Sequence, residues 1–364
     1  MKFTSDRAVL FEAIANASRA VSVKNPNAAL EGILLDAKEV LTISGFDLEM
    51  GIECKTEAMI SEQGGVIVNA KLFSEILRKL PDGIVSVVCD DKYNVTIRCG
   101  LSEFSLIGMP MEEFPEIPKF SSERSFEIQR QKLKKLISQT LYAVATSDVR
   151  PIQTGSLFEV ENGELTVVSC DGFRLAVARE DLSAEIENCS FVVQGRTLAE
   201  ILKMLDDSDR NVVVTLSKRH ITFAFDQIMM VSRLLEGEFW NYRNSIPKEC
   251  RITVKARTRE LFDAVDRASL MISDRVKSHI KLGLEGDEIN VSCNTVLGNG
   301  QDVIKVQSSG GSLVMGFNSR FLLDMLRVCQ DEEIRIELNS ALLPMVVKPN
   351  EGNAFLFLIV PVRL

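Results

Sequence analysis

Two pairs of adjacent carboxylates, Asp90-Asp91 and Asp206-Asp207, are the residues of this chain best suited to metal-assisted hydrolysis. Each falls at a hairpin or helix-end turn, where aspartate is favoured because its side chain bonds the backbone two residues on. Turn formation therefore accounts for both pairs. Eight cysteines are present, at 54, 89, 99, 170, 189, 250, 293 and 329, and only His220 and His279 could join them in a metal site. No two cysteines are spaced CxxC, so a zinc site is not expected. Several stand in apolar strand patterns, as reduced buried thiols do, which fits a cytosolic compartment. Gly298-Asn299-Gly300 lacks the third glycine of a dinucleotide loop, and no Walker, GxSxG or HExxH motif occurs. The expectation is a protein without catalytic residues, metal or cofactor.

A different set of residues is regularly placed. Lys71 and Arg78 are two helical turns apart and fall within about 20° of each other around a helix. Phe73, Ile76, Leu77 and Leu80 take the opposite side. The pattern Phe73-x-Glu75-Ile76-Leu77 returns as Leu198-x-Glu200-Ile201-Leu202 and as Leu322-x-Asp324-Met325-Leu326. With it return two bases, Arg196 and Lys203 in the second copy and Arg320 and Arg327 in the third. Lys and Arg are 42 of 364 residues in a chain of net charge −9, so six bases at six equivalent positions are not a chance outcome. A solvated helix face normally mixes Glu with Lys. An all-basic face fits sequence-independent contact with the phosphates of duplex DNA. No helix-turn-helix, zinc-finger or RNA-stacking signature suggests base readout. The acidic excess then belongs on other surfaces, where it repels DNA.

The elements that carry these bases form a threefold repeat. Helices are predicted over 70–80, 196–206 and 319–329. An earlier helix also recurs, with Leu10, Ile14 and Ala17 matched by Leu133, Ile137 and Thr140, then by Leu261, Val265 and Ala268. Each set is spaced i, i+4, i+7, one face of a helix. These first helices add Lys132, Lys134, Lys135, Arg259 and Arg267 with less regular placement. In the first repeat, strands are expected at 1–4, 32–37, 40–45, 50–56, 66–69, 84–89, 94–99 and 103–107, with helices at 6–21 and 70–80. Each repeat is thus two β-α-β-β-β units in an α+β fold. Glu113-Phe114 before Ile117-Pro118-Lys119, and Glu238-Phe239 before Ile246-Pro247-Lys248, read as linkers. The expected domains are 1–121, 122–246 and 247–364. The apolar fraction of 46% allows a core in each. No leader-like segment is evident, and the longest apolar run, Phe355–Val362, falls short of the roughly 18 residues that span a bilayer. A soluble protein with no membrane partner is expected.

The opening Met1-Lys2-Phe3-Thr4, the segments Gly45-Phe46-Asp47-Leu48-Glu49-Met50 and Asp171-Gly172-Phe173-Arg174-Leu175-Ala176-Val177, the triplet Gly316-Phe317-Asn318 and the terminal Pro361-Val362-Arg363-Leu364 resemble the bacterial DNA polymerase III beta subunit family. The resemblance covers the whole chain. It implies the DNA clamp fold: a head-to-tail homodimer whose six domains make a ring, helices inside and sheets outside, tethering a polymerase to double-stranded DNA without chemistry of its own. It implies that Lys24, Gln139, Arg150 and Gln153 lie on loops or helix ends facing DNA. It places Phe104 and Leu106 of the first domain against Met271 and Ile272 of the partner's third domain, ordinary core being the alternative for these four. It also implies a peptide-binding cleft lined by Cys170, Gly172, Phe173, Arg174, Leu175, Trp240, Asn318, Phe321, Val360, Pro361, Val362, Arg363 and Leu364. There the polymerase III alpha subunit, the clamp loader and other proteins with a clamp-binding motif would insert a glutamine followed by apolar residues. Trp240 has the alternative reading of a domain-boundary packing residue. Phe173, Trp240 and Asn244 depart from the family's usual His, Pro and Arg, which bears on which motifs the cleft prefers. Two other readings stay open at this point: a related ring with a regulatory role, and a hydrolase or nuclease using the paired aspartates.

Overall fold

Six helices carry the repeat: α1 (Arg7–Ala17), α2 (Ala70–Lys79), α3 (Arg130–Thr140), α4 (Gly195–Met204), α5 (Thr258–Ser269) and α6 (Ser319–Val328). The computed structural model describes residues 1–22, 27–120, 124–147, 149–182, 186–272 and 278–364. The helix starts follow from side-chain capping. Asp6 accepts from the amides of Ala8 and Val9, Asn69 from Leu72 and Asn318 from Arg320, each satisfying amides that have no partner within the helix. Pro81 follows the end of α2 and cannot continue it. The expected apolar stripes are the buried ones. Phe73, Ile76 and Leu77, then Leu198 and Ile201, then Leu322, Met325 and Leu326 are all in the interior. So are the three recurring positions of α1, α3 and α5, where the Thr140 hydroxyl is satisfied by the Leu136 carbonyl at 2.7 Å.

The chain divides into two compact units. The first comprises Met1–Arg130 and Lys203–Leu234. It holds a five-stranded antiparallel sheet in the order Met59–Glu62, Lys2–Asp6, Ile84–Cys89, Asn94–Cys99, Ser102–Ile107. Its second sheet runs Met109–Pro110, Gly64–Asn69, Gly32–Ala37, Leu41–Phe46, Met50–Thr56, Ile228–Leu235, His220–Phe225, Asn211–Leu216, Arg124–Gln129. The second unit comprises Gln131–Leu202 and Leu235–Leu364. Its larger sheet runs Cys189–Gln194, Gly155–Glu161, Glu164–Cys170, Arg174–Asp181, Phe355–Ile359, Met345–Pro349, Glu333–Leu338, Ile252–Arg257, Gln307–Ser309. Its smaller sheet runs Gly298–Lys305, Glu288–Thr295, Ile280–Glu285, Leu313–Phe317.

These units cut through the middle repeat, because its strands are divided between the two larger sheets. Met50–Cys54 pairs with Ile228–Ser232 in one unit, and Arg174–Ala178 pairs with Phe355–Ile359 in the other. Backbone ladders thus join strands of neighbouring repeats. The boundary at 121–122 itself lies outside the described residues.

Two differences from the sequence reading have local causes. The first helix stops at Ala17 and continues as a 3-10 turn, Ser18–Ala20. Gly45 lies under that end, and a Cβ there would meet the Ala17 carbonyl oxygen, so only glycine lets helix and strand approach so closely. The strand Met59–Glu62 was not expected. It sits at a sheet edge with its side chains largely in solvent, so it lacks the alternation that marks a half-buried strand.

Candidate partner cleft and nucleic-acid interface

The second helix of each repeat turns its bases outward. Lys71 and Arg78 on α2, Arg196 and Lys203 on α4, and Arg320 and Arg327 on α6 are all exposed, opposite the buried stripes. Arg320 and Arg327 lie 4.0 and 3.5 Å from Asp324, and bases of the first helices have partners as well. Lys132 donates to the Asp181 carbonyl, Lys135 pairs with Glu180 at 2.7 Å, Arg259 with Asp263 at 3.0 Å and Arg267 with Asp302 at 2.6 Å.

The four loop or helix-end residues fare unequally. Arg150 is exposed, whereas Lys24 lies outside the described residues. Gln139 and Gln153 are only 2% and 5% exposed, and Gln153 Nε2 is directed at Cys170 Sγ, 3.8 Å away. Both glutamines face the interior, which corrects the expectation that they present side chains to DNA. That expectation comes from the family resemblance. The packing of the Pro151–Thr154 turn and of the last turn of α3 places them inside.

The residues expected to line the cleft all belong to the second unit. Strand Glu164–Cys170 ends at a tight turn in which Gly172 takes φ +92°. Asp171 Oδ1 accepts from the amides of Phe173 and Arg174 at 2.9 and 3.0 Å and fixes the loop. The same loop occurs in the first repeat, where Asp47 Oδ1 accepts from Glu49 and Met50. Leu175 and Cys170 are buried and share an apolar cluster with Tyr242, Val346, Leu356 and Leu358. Burial pushes the Cys170 thiol up to about 11, Asp171 adding to the effect.

Arg174 is the hub. Its side chain is 9% exposed, its Nε donates to Asp171 Oδ2 at 2.9 Å and its Nη1 to Asp324 Oδ2 at 2.8 Å. The guanidinium stacks 4.5 Å from the Phe321 ring centroid and 5.3 Å from that of Tyr142. Phe173 is 62% exposed, with its ring centroid 6.4 Å from that of Phe321. The chain terminus is anchored beside them: Val360 N donates to the Phe173 carbonyl and Val362 N to the Gly316 carbonyl. A Cβ on Gly316 would lie 2.6 Å from Leu364 Cδ2, so glycine makes room for the tail. Trp240 is 47% exposed in the segment leading to Tyr242, whose hydroxyl donates to Glu159 at 2.8 Å. Exposed aromatic rings beside buried aliphatic side chains and a fixed guanidinium suit an apolar peptide anchor.

Asp171, Asp324 and Tyr142 were not singled out from sequence as working residues. Asp324 was visible only as part of the repeated helix motif. Its link to Arg174 is between residues 150 positions apart and has no local signal.

Phe104 is 42% exposed and Leu106 partly buried on Ser102–Ile107, the outer strand of the five-stranded sheet, beside the exposed Leu101 and Ile107. Met271 and Ile272 follow α5 and pack against the core of the second unit while staying partly accessible. Near them Gly298–Lys305 is an outer strand, with Val296, Leu297 and Val303 exposed. One aspartate of each adjacent pair has a structural role. Asp90 Oδ1 accepts from the amides of Lys92 and Asn94 in a turn, and Asp206 pairs with Arg130 and Arg210. Among the described residues no group of three or more His, Cys, Asp or Glu could hold a metal, and no helix is long and apolar enough to cross a membrane.

Three family models match in succession: the N-terminal domain of the DNA polymerase III beta subunit over residues 1–118, its central domain over 127–241 and its C-terminal domain over 243–363. A beta sliding clamp of Bacillus subtilis is 31% identical over the full length of both chains. One from Staphylococcus aureus is 29% identical, covering 100% of this chain and 99% of its own. The crystal structure of the Bacillus subtilis DNA polymerase sliding clamp superposes with a TM-score of 0.96 at 30% identity, over 100% of this chain and 99% of that one. That of the DNA polymerase III beta subunit from Thermotoga maritima gives 0.92 at 26%, with the same coverage. With its three-domain clamp fold, this chain belongs to the DNA polymerase III beta subunit family, the bacterial sliding clamps.

Proposed function

We propose that two copies of this chain close head to tail into a ring that encircles duplex DNA, slides along it and tethers the replicative polymerase. The family is a non-catalytic processivity factor of DNA polymerase III, so the mechanism is topology and tethering rather than bond chemistry. The observation that carries the reading is the exposure of all six equivalent bases on α2, α4 and α6, opposite their buried stripes. Helices line the hole, sheets lie outside, and the domains run 1–121, 122–246 and 247–364. Lys71, Arg78, Arg150, Arg196, Lys203, Arg320 and Arg327 neutralise phosphates without reading bases, which permits sliding.

The ring closes where the outer strand Ser102–Ile107 of one protomer, with Phe104 and Leu106, meets the partner's third domain around Met271, Ile272 and Gly298–Lys305. An outer strand with exposed apolar residues calls for a covering partner, and a heterologous contact that closes after two copies leaves neither edge bare. The cleft around Arg174, Phe173, Phe321, Trp240 and Val360–Leu364 receives the clamp-binding motif of the polymerase alpha subunit, the clamp loader and other replication and repair proteins in the cytoplasm. Holding a polymerase there turns its rebinding to the primer end into an intramolecular event at high effective concentration.

The test is primer extension on a primed single-stranded circle under single-encounter conditions, with the cognate replicase and loader. Products lengthen when this chain is added. Products of unchanged length contradict the reading.

A further inference from the structure

Asp324 has two carboxylate oxygens and three guanidinium neighbours. Its Oδ2 accepts from Arg174 Nη1 at 2.8 Å and lies 4.0 Å from Arg320 Nε, while its Oδ1 lies 3.5 Å from Arg327 Nη1. The three arginines differ in freedom. The Arg174 side chain is 9% exposed and held by Asp171, Phe321 and Tyr142. Arg320 and Arg327 are 84% and 63% exposed. One carboxylate therefore neutralises a buried cation under the cleft and restrains two exposed cations on the basic face of α6. Phosphates compete with Asp324 for the exposed pair and cannot reach the buried one.

We propose that Asp324 is a shared counter-charge coupling the two binding surfaces. Phosphate at Arg320 and Arg327 draws their guanidinium groups away, leaves the carboxylate to Arg174 and steadies the cleft wall. By reciprocity, a peptide in the cleft favours duplex binding by the same factor. Exposed ion pairs are weak, which sets the coupling at about two- to fivefold. Asp324 is a positioning residue for Arg174, and the inference rests on the clamp reading.

The experiment measures two affinities of the intact protein. One probe is a fluorescent peptide bearing a glutamine followed by apolar residues, and the other is a short blunt duplex at low salt. Asp324→Asn leaves Arg174 with one carboxylate and releases Arg320 and Arg327. Peptide binding weakens about three- to tenfold while duplex binding tightens about two- to fivefold, and Asp324→Glu restores both. A merely structural role would weaken both together, and that outcome, or an unchanged peptide affinity, overturns the proposal. The double variant R320Q/R327Q serves as a second arm if Asp324→Asn does not fold. Its peptide affinity equals or exceeds the wild-type value and no longer responds to duplex, so a persisting response also overturns the proposal. Wild-type protein that binds neither probe would sink the clamp reading itself, and the coupling with it.

Discussion

Arg174 shows how much one residue depends on contacts remote in sequence. The motif Asp171-Gly172-Phe173-Arg174 is visible in the chain, but the second carboxylate, Asp324, and the two rings that hold the guanidinium come from other elements. Removing it with Arg174→Ala leaves Asp171 and Asp324 partly buried and short of a donor, at a cost of about 2 kcal/mol. A lowered thermal midpoint together with loss of motif-peptide binding is the expected outcome. The cysteines make a second prediction at this scale. Burial raises the thiols of Cys54 and Cys329 to about 12 and that of Cys170 to about 11. Near neutral pH they stay protonated, and the thiolate is the reactive form. Cys250 is exposed, so a disulfide reagent at about pH 8 reacts there first, and Cys250→Ser removes the fast phase. The burial of Gln139 and Gln153 was not legible, since nothing in a polar residue's own type reveals the packing of the turn that bears it.

Elements are more legible in the sequence than single residues, because their signal is periodic. The stripe of α2 and its two copies could be placed from spacing alone, and so could the exposed bases on the opposite side. The edge strand Met59–Glu62 lacks the alternation that marks a strand, and the first helix is shorter than its apolar spacing predicts because the close approach of Gly45 is a tertiary fact. Where α3 begins, Arg130 is 3% exposed, bonded to Asp226 at 2.6 Å and to Asp206 at 3.3 Å, and stacked 5.2 Å from the Phe225 ring centroid. The hydrogen bond from Arg130 holds the Asp226 carboxyl below its usual range. A folded-state value lowered in this way stabilises above the ordinary carboxylate value of about 3.9 and is lost as pH falls through the lowered one. Asp226→Asn therefore lowers the melting temperature most at about pH 7, and the gap from wild type narrows on acidification below about pH 4. A gap independent of pH would show that this ion pair does not anchor the helix.

At the scale of the molecule, the threefold repeat was the clearest message of the sequence. The partition of the middle repeat between two large sheets was not, because strand pairing across a boundary leaves no mark on the linker. The ring reading requires two chains of 40.5 kDa. Light scattering returns twice that mass, and Phe104→Glu, which puts a charge into the proposed seam, returns the single-chain value. Unchanged mass in that variant would move the seam elsewhere.

The central claim is that a closed ring holds DNA by threading rather than by grip. Protein loaded by its cognate loader onto a nicked circular duplex is followed by gel filtration before and after a single restriction cut. The account predicts retention on the circle and rapid loss from the linear form. Loss at equal rates from both forms would contradict it.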